Sequence, residues 1–150
     1  MRIGIGARAE ERGRLTLVTG PIRSGKSTWV RGEMARRGWR GDEVRGFRTY
    51  WMGDRGMGGH LELATWDGRV LWQSPARHGG GPPDGEGLAD AALRALEEGA
   101  RRENLAIDEL GVLEAGNEAL RAAVREACAK AASGIVVVQE RALGVWREML

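Results

Sequence analysis

One short segment of the sequence combines residue types that together bind phosphate. Residues 20 to 27, Gly-Pro-Ile-Arg-Ser-Gly-Lys-Ser, fit the pattern G-x-x-x-x-G-K-[S/T]. Gly20 and Gly25 let the backbone turn so that successive N–H groups point at phosphate oxygens. Lys26 is expected to bridge the β- and γ-phosphates, and the Ser27 hydroxyl to coordinate Mg²⁺. The residues expected to contact a nucleotide are Gly20, Pro21, Ile22, Arg23, Ser24, Gly25, Lys26, Ser27 and Thr28.

Two carboxylates later in the chain have the chemistry that phosphate hydrolysis still needs, since a phosphate cradle alone does not organise a metal or a water molecule. Asp108 and Glu109 follow the short apolar run 105–107. Parallel sheets bind ligands just outside the carboxyl ends of their strands. We therefore expect Asp108 to hold the metal with Ser27, and Glu109 to orient or deprotonate the attacking water. A solvated loop carboxylate is the alternative for Glu109.

Several other polar residues fall where they could reach the same site. Gln139 ends the apolar run 135–138 and could contact the γ-phosphate or the water, although a simple strand-end glutamine is equally compatible with the pattern. Arginines could stabilise the charge that gathers on a γ-phosphate in the transition state. The candidates of this kind are Arg23, Arg45, Arg48 and Arg55.

The elements around these residues predict how they are positioned. Residues 14–19 form a short β-rich run, and residues 26–37 carry apolar side chains at helical spacing before Gly38. Strand, glycine-rich turn and helix is the context that a phosphate-binding loop requires. Further strands are predicted at 43–52, 105–108 and 135–138, a hairpin at 61–74 turning on Asp67-Gly68, a loop at 79–87, and helices at 88–101, around 120–128 and at the C-terminus.

The alternation of strands and helices predicts an α/β fold with a mostly parallel sheet covered on both faces. The 150 residues fit one domain, 1–150, with the hairpin region of about 51–87 as an insertion. The formal net charge of +2 indicates neither a nucleic-acid nor a membrane partner. A single cysteine, Cys128, fits a reducing cytoplasm, and no apolar run is long enough to span a bilayer. We expect a cytoplasmic monomer or weak homo-oligomer.

Four segments together resemble the THEP-type nucleoside-triphosphatase family, a P-loop group in the branch with a catalytic glutamate. They are LVTGPIRSGKST, VRGFRT, LELATWDGR and IDELGVLE, in that order along residues 14 to 114. The resemblance implies a three-layer P-loop NTPase fold and Mg²⁺-dependent hydrolysis of nucleoside triphosphates such as ATP or GTP, with loose base preference. It implies catalytic roles for Lys26 and Glu109, and it singles out Glu114 without giving it a role. The family's further strand after 135–139 has no counterpart in this chain, so a shortened C-terminus is expected.

Two other functions remain compatible with the motifs. The sequence GPIRSGKS also looks like the phosphate-binding loops of small-molecule kinases, and the segment 79–87 could be a lid that excludes water while a nucleotide or metabolite is phosphorylated. A non-catalytic nucleotide-binding module that reports nucleotide state to a partner is the third reading.

Overall fold

The computed structural model describes residues 1–4, 6–21, 24–53, 58–75, 85–148 and 150, and within them it contains one seven-stranded sheet. The order of the strands across the sheet is β1-β2-β7-β6-β3-β4-β5. The four central strands β2, β7, β6 and β3 run parallel. At one edge β1 pairs antiparallel with β2, and at the other β4 pairs antiparallel with both β3 and β5. The strands are β1 Arg8–Arg12, β2 Leu15–Gly20, β3 Val44–Met52, β4 His60–Ala64, β5 Val70–Gln73, β6 Asn104–Leu110 and β7 Ser133–Gln139.

Helices cover both faces of this sheet. They are α1 Lys26–Arg36, α2 Gly85–Glu98, α3 Val112–Ala115, α4 Glu118–Lys130 and α5 Leu143–Arg147, with short 3₁₀ helices at Gly41–Glu43 and Glu140–Ala142. Apolar residues of α2, α4 and α5 form the larger core on one face, and residues of α1 form a smaller core on the other. The predicted three-layer α/β arrangement is therefore confirmed. Within the described ranges, none of the helices has the length and apolar character that crossing a membrane requires.

The apolar run in β7 shows why these sequences form buried strands. Ile135 and Val137 pack in the core beneath α1, whereas Val136 and Val138 pack in the core beneath α2 and α4. Successive side chains of a strand point to opposite faces, so a central strand covered on both sides must be apolar at every position. β7 thereby lies between β2 and β6 and brings its last residue, Gln139, beside Gly20.

The structure corrects the sequence predictions in three places. Strand β1 was not predicted, because its sequence Arg-Ala-Glu-Glu-Arg has the charge typical of a sheet edge and buries only Ala9. Helix α2 begins at Gly85, so residues 85–87 are helical rather than part of a loop, and Glu86 lies in the first turn, where a negative charge is favourable. Residues 76–84 of that loop lie outside the described residues. The short helix α3 was also not predicted.

The remaining elements agree with the sequence. The hairpin of β4 and β5 turns at Asp67-Gly68 as predicted, and it extends the sheet from the antiparallel pairing of β3 with β4. Gly38, just after α1, has φ +72°, the conformation expected where a helix ends at glycine. The assignment of residues 1–150 to a single domain with an insertion stays a prediction.

Candidate functional site

The turn between β2 and α1 is shaped by two glycines whose roles differ. Gly25 precedes the first residue of α1 and has φ +87°, a conformation that L side chains rarely adopt. Gly20 is required for space instead, since a Cβ there would lie 2.7 Å from the Cα of Ala7 and 2.8 Å from Ser24 Oγ. Backbone conformation at one end of the turn and close packing at the other thus both favour glycine. Of the predicted phosphate-contacting residues, Ile22 and Arg23 lie outside the described residues.

Lys26 points back across this turn. Its Nζ donates to the carbonyl oxygens of Gly20 at 2.5 Å and Pro21 at 3.1 Å, and it lies 3.4 Å from Glu109 Oε2. The side chain is only 8% exposed, so its charge acts in a region where electrostatic interactions are stronger than in water. Ser27 and Thr28, the next two residues, are exposed at the start of α1.

Asp108 lies beside the start of α1 and is buried. The Ser27 hydroxyl lies close enough to this carboxylate to act on its pKa, and both residues line the same small cavity. Burial raises the pKa of Asp108 to about 6, and the negative charge of Glu109 acts in the same direction. The nearby Ser27 hydroxyl and the positive charges of Lys26 and Arg48 oppose that rise in pKa. The structure thus brings together the hydroxyl and the carboxylate that the sequence assigned to a metal.

Glu109 reaches the same side of the site because β6 has a β-bulge. Asp108 pairs with Val137 and Leu110 pairs with Val138, so Glu109 is an extra residue opposite no partner. Ile107 and Leu110 accordingly pack in the same core although they are three positions apart, which a regular strand does not allow. Because of the bulge, the side chains of two consecutive residues both point toward the start of α1. Asp108 lies near Ser27, and Glu109 lies near Lys26.

Thr49 of β3 fixes the backbone that carries these two carboxylates. Its Oγ1 accepts a hydrogen bond from the N–H of Glu109 at 3.2 Å and donates to the carbonyl oxygen of Asp108 at 3.4 Å. The hydroxyl therefore replaces ladder partners that a bulged strand gives up. Thr49 was singled out in the sequence only as part of VRGFRT; it lies inside β3, one residue beyond the last position that pairs with β6, and no local sequence signal marks that point.

Gln139 lies between the bulge and the turn that follows β6. Its Nε2 donates to Glu109 Oε1 at 3.2 Å. Its Oε1 and Ser24 Oγ are both buried and, like Trp51 Nε1, have no hydrogen-bond partner within the described residues. Buried polar atoms are nearly always paired in proteins, so two such atoms close to Lys26 and Glu109 distinguish this edge of the sheet.

Glu114 has a structural role that the sequence left open. Its Oε2 accepts a hydrogen bond from the N–H of Gly111 at 2.9 Å, so the third residue of α3 caps the start of its own helix. Burial raises the pKa of Glu114 above its ordinary value, and hydrogen bonds from the backbone of Glu114 and Gly111 act against that rise. The spacing Gly-x-x-Glu is half of a capping box and was a readable signal.

The candidate arginines separate into those near the site and those away from it. Arg48 pairs in register with Asp108, and its guanidinium lies 4.3 Å from the centre of the Tyr50 ring. With Ser27, Arg31 and Trp66 these residues line a cavity of about 40 Å³.

Arg45 does not reach this site, which corrects its candidacy. Its Nε donates to the carbonyl oxygen of Leu96, and its Nη2 lies 2.9 Å from Glu126 on the opposite face of the sheet. Residues three apart in a strand point to opposite faces, so Arg45 and Arg48 could not both face α1. Arg55, like Arg23, lies outside the described residues.

The donor set fits Mg²⁺. Within the described ranges, no group of three or more His, Cys, Asp or Glu residues could enclose a metal ion. Mg²⁺ does not need such a cage, since it prefers hard oxygen ligands and is commonly held by one or two protein groups together with substrate phosphates and water. A hydroxyl and a carboxylate that line one small cavity, as Ser27 and Asp108 do, match that requirement.

Two comparisons with known proteins found a match. A family model described as NTPase matches residues 15–149. Among solved structures, the fold is similar to the crystal structure of THEP1 from the hyperthermophile Aquifex aeolicus, with a TM-score of 0.66 and 19% sequence identity over 90% of this chain and 81% of that chain. A search of curated proteins found no match. The family match spans the phosphate-binding loop, both acidic residues and Gln139.

Proposed function

This chain belongs to the NTPase family, and we propose that it hydrolyses nucleoside triphosphates to the diphosphate and phosphate in the presence of Mg²⁺. The observation that carries the proposal is the position of Glu109, whose carboxylate lies between Lys26 Nζ at 3.4 Å and Gln139 Nε2 at 3.2 Å. A carboxylate fixed at that point lies beside the lysine that holds the phosphates. This is where the general base of phosphate hydrolysis must be.

The two carboxylates divide the work according to their surroundings. Asp108 is 5% exposed and lines a small cavity with Ser27, whereas the side chain of Glu109 is 26% exposed. A base must be reached by water, and of the two carboxylates Glu109 is the one open to it. Asp108 is the residue that would hold Mg²⁺ together with Ser27. When bound, this ion neutralises part of the negative charge on the phosphates.

The chemical step requires one water and one proton acceptor. Glu109 accepts a proton from the water as the water oxygen bonds to the γ-phosphorus. The bond between that phosphorus and the β–γ bridging oxygen breaks. Lys26 stabilises the negative charge that this cleavage leaves on the diphosphate, and the proton leaves Glu109 with the released phosphate. Gln139 keeps the Glu109 carboxylate turned toward the reacting water through its hydrogen bond.

Broad base preference follows from the kind of contact that this site offers. The assigned groups are backbone amides of the 20–25 turn, Lys26, Ser27 and the two carboxylates, and each of them addresses phosphate, metal or water. These parts of the substrate are identical in ATP, GTP, CTP and UTP. We therefore expect similar kcat values with all four and differences mainly in KM.

Phosphate release from each of the four nucleotides tests the proposal. With Mg²⁺ and no added acceptor, we expect one phosphate per nucleotide consumed, and none when EDTA is in excess. Release that begins only when an alcohol, sugar or nucleotide acceptor is added would identify a kinase instead. Tight binding of nucleotide without any release would identify a non-catalytic nucleotide-binding module.

A further inference from the structure

The turn that follows β6 is fixed by two buried side chains from opposite directions. The N–H of Gly111 donates a hydrogen bond to Glu114 Oε2 at 2.9 Å. The carbonyl oxygen of Gly111 accepts a hydrogen bond from Trp146 Nε1 at 3.0 Å. Trp146 is fully buried in the larger core and belongs to α5, thirty-five positions further along the chain. One glycine is therefore held at both of its backbone polar groups by residues that solvent hardly reaches.

Gly111 in turn lies directly against the side chain of Gln139. A Cβ at position 111 would be 2.6 Å from Gln139 Oε1, 2.8 Å from its Cδ and 3.0 Å from its Nε2. These distances are shorter than van der Waals contact, so the flat face of the amide packs on the glycine backbone. The other edge of the same amide donates to Glu109 Oε1.

We propose that Trp146 and Glu114 are positioning residues that hold Gly111 as a support for the Gln139 amide, and that this support keeps the Glu109 carboxylate in place for catalysis. The inference rests on the proposed function, since it concerns the residue assigned as its base. Neither Trp146 nor Glu114 contacts the reacting groups. They act through a chain of contacts from α5 and α3 to Gly111, from Gly111 to Gln139, and from Gln139 to Glu109.

The rigidity of this support has a chemical reason. The bulge leaves Glu109 without a partner residue on β7, and its carboxylate is partly open to solvent. A side chain of this kind samples several rotamers unless hydrogen bonds restrict it, and misplacement of a base by about 1 Å costs roughly 100-fold in rate. The Gln139 hydrogen bond supplies the restriction only while the amide itself cannot move away.

Gly111→Ala tests the support without removing any hydrogen-bonding group. The backbone at position 111 has φ −123° and ψ −169°, which alanine adopts freely, and the three atoms nearest to the added Cβ all belong to the Gln139 side chain. We expect kcat to fall about tenfold, because the displaced amide loses its hydrogen bond to Glu109 and one such bond corresponds to about a tenfold change in rate. Nucleotide affinity should be unchanged. Gly116→Ala is the matched control at the other end of α3. Its Cβ would meet nothing closer than 3.7 Å, and kcat should be unchanged.

A double-mutant cycle distinguishes this role from a general loss of packing. If Gly111→Ala acts through the amide, its effect on kcat disappears when Gln139 is already alanine, so that the double variant is no slower than Gln139→Ala alone. Trp146→Phe keeps the aromatic character and removes the N–H donor, and its smaller loss of kcat should disappear in the same background. Should Trp146→Phe fail to fold, the Gly111 cycle decides the question by itself.

Two results would overturn the inference. One is a kcat for Gly111→Ala equal to that of Gly116→Ala, and the other is a Gly111→Ala effect that persists in full without the Gln139 amide. Failure of the proposed function looks different, because the wild-type chain would then release no phosphate from nucleotide without an added acceptor. An inactive Glu109→Gln together with a fully active Gly111→Ala would refute the positioning role and leave the hydrolase assignment standing.

Discussion

Two polar clusters lie on this sheet, and they differ in how completely their hydrogen bonds are satisfied. The hairpin cluster, on β3, β4 and β5, is centred on the buried Glu62, which accepts hydrogen bonds from Tyr50 at 2.9 Å, His60 at 2.8 Å and Gln73 at 2.5 Å. The phosphate cluster, at the carboxyl ends of the parallel strands, comprises Lys26, Ser27, Asp108, Glu109 and Gln139. Gln139 Oε1 of this cluster and Ser24 Oγ of the adjoining turn are buried and have no hydrogen-bond partner among the described residues.

The difference separates a structural arrangement from a functional one. Glu62 is saturated by neighbours of the same antiparallel edge, so its charge is stabilised by the protein alone, and the pKa of Glu62 is lowered chiefly by the hydrogen bond with His60. In the phosphate cluster, burial raises the pKa of Asp108 to about 6, because desolvation outweighs the partners that it has. A buried charge that the protein does not fully stabilise is expected to be stabilised by a bound ligand.

Removing the central cation of the phosphate cluster should lower turnover and nucleotide affinity together. Lys26→Ala takes away the positive charge that the triphosphate needs, so we expect turnover to fall by about 1,000-fold or more and nucleotide affinity to fall with it. Stability should change little, since Glu109 remains partly open to solvent. Phosphate release, nucleotide titration and thermal unfolding measure the three quantities. Lys130→Ala, an exposed lysine on α4, is the matched control.

The opposite result is expected in the hairpin cluster. Glu62→Gln replaces a charged acceptor of three hydrogen bonds by a neutral amide, which should cost about 2 kcal/mol of unfolding free energy and about 5 °C in Tm. Its kcat at 25 °C should stay within about twofold of wild type. Glu97→Gln, at an exposed position of α2, controls for the loss of a carboxylate. A large loss of turnover in folded Glu62→Gln would mean that the two clusters act together.

Arg48 lies between the clusters and tests where the boundary falls. It pairs in register with Asp108 and stacks on Tyr50, whose hydroxyl donates to Glu62. If Arg48 serves the phosphate cluster, Arg48→Met lowers kcat about tenfold and leaves Tm within about 2 °C. A fall in Tm with unchanged kcat would assign it to the hairpin cluster instead. Arg94→Met, on the exposed face of α2, is the control.

The pH dependence of stability gives the smallest and most specific difference. The pKa of Glu62 is lower in the folded protein than its ordinary value of 4.5, so Glu62 stabilises the fold above about pH 5. That contribution is lost as the pH falls through the folded pKa, with a slope of at most about 1.4 kcal/mol per pH unit. Denaturant unfolding between about pH 6 and pH 3 should therefore show a shallower decline for Glu62→Gln than for wild type. Parallel declines would contradict the assignment.

The phosphate cluster is easier to predict from the sequence than the residues that support it, for a physical reason. The phosphate-binding loop is contiguous, and its glycines, lysine and hydroxyls have to be adjacent for the chemistry to work. Asp108 and Glu109 are recognisable because ligands bind at the ends of parallel strands. The support from Gly111, Gln139 and Trp146 joins residues about thirty positions apart through the detailed course of a turn, and no local pattern encodes that course.

The errors have equally local causes. Arg45 was placed among the phosphate-binding candidates because strand alternation was not applied to it, although Val44 and Phe47 beside it are core residues of opposite faces. Strand β1 was missed because charged edge strands lack the apolar alternation that identifies a half-buried strand. The bulge at Glu109 could not be predicted either, since a single extra residue leaves the apolar pattern of β6 nearly unchanged.

The most direct test of the account is turnover and nucleotide binding measured on the same preparation of Glu109→Gln. Glutamine keeps the size of the side chain and loses the ability to accept a proton, so we predict nucleotide affinity within about threefold of wild type and phosphate release lowered by about 100-fold to 10,000-fold. A Glu109→Gln variant that binds nucleotide and releases phosphate at the wild-type rate would contradict the assignment of Glu109 as the base.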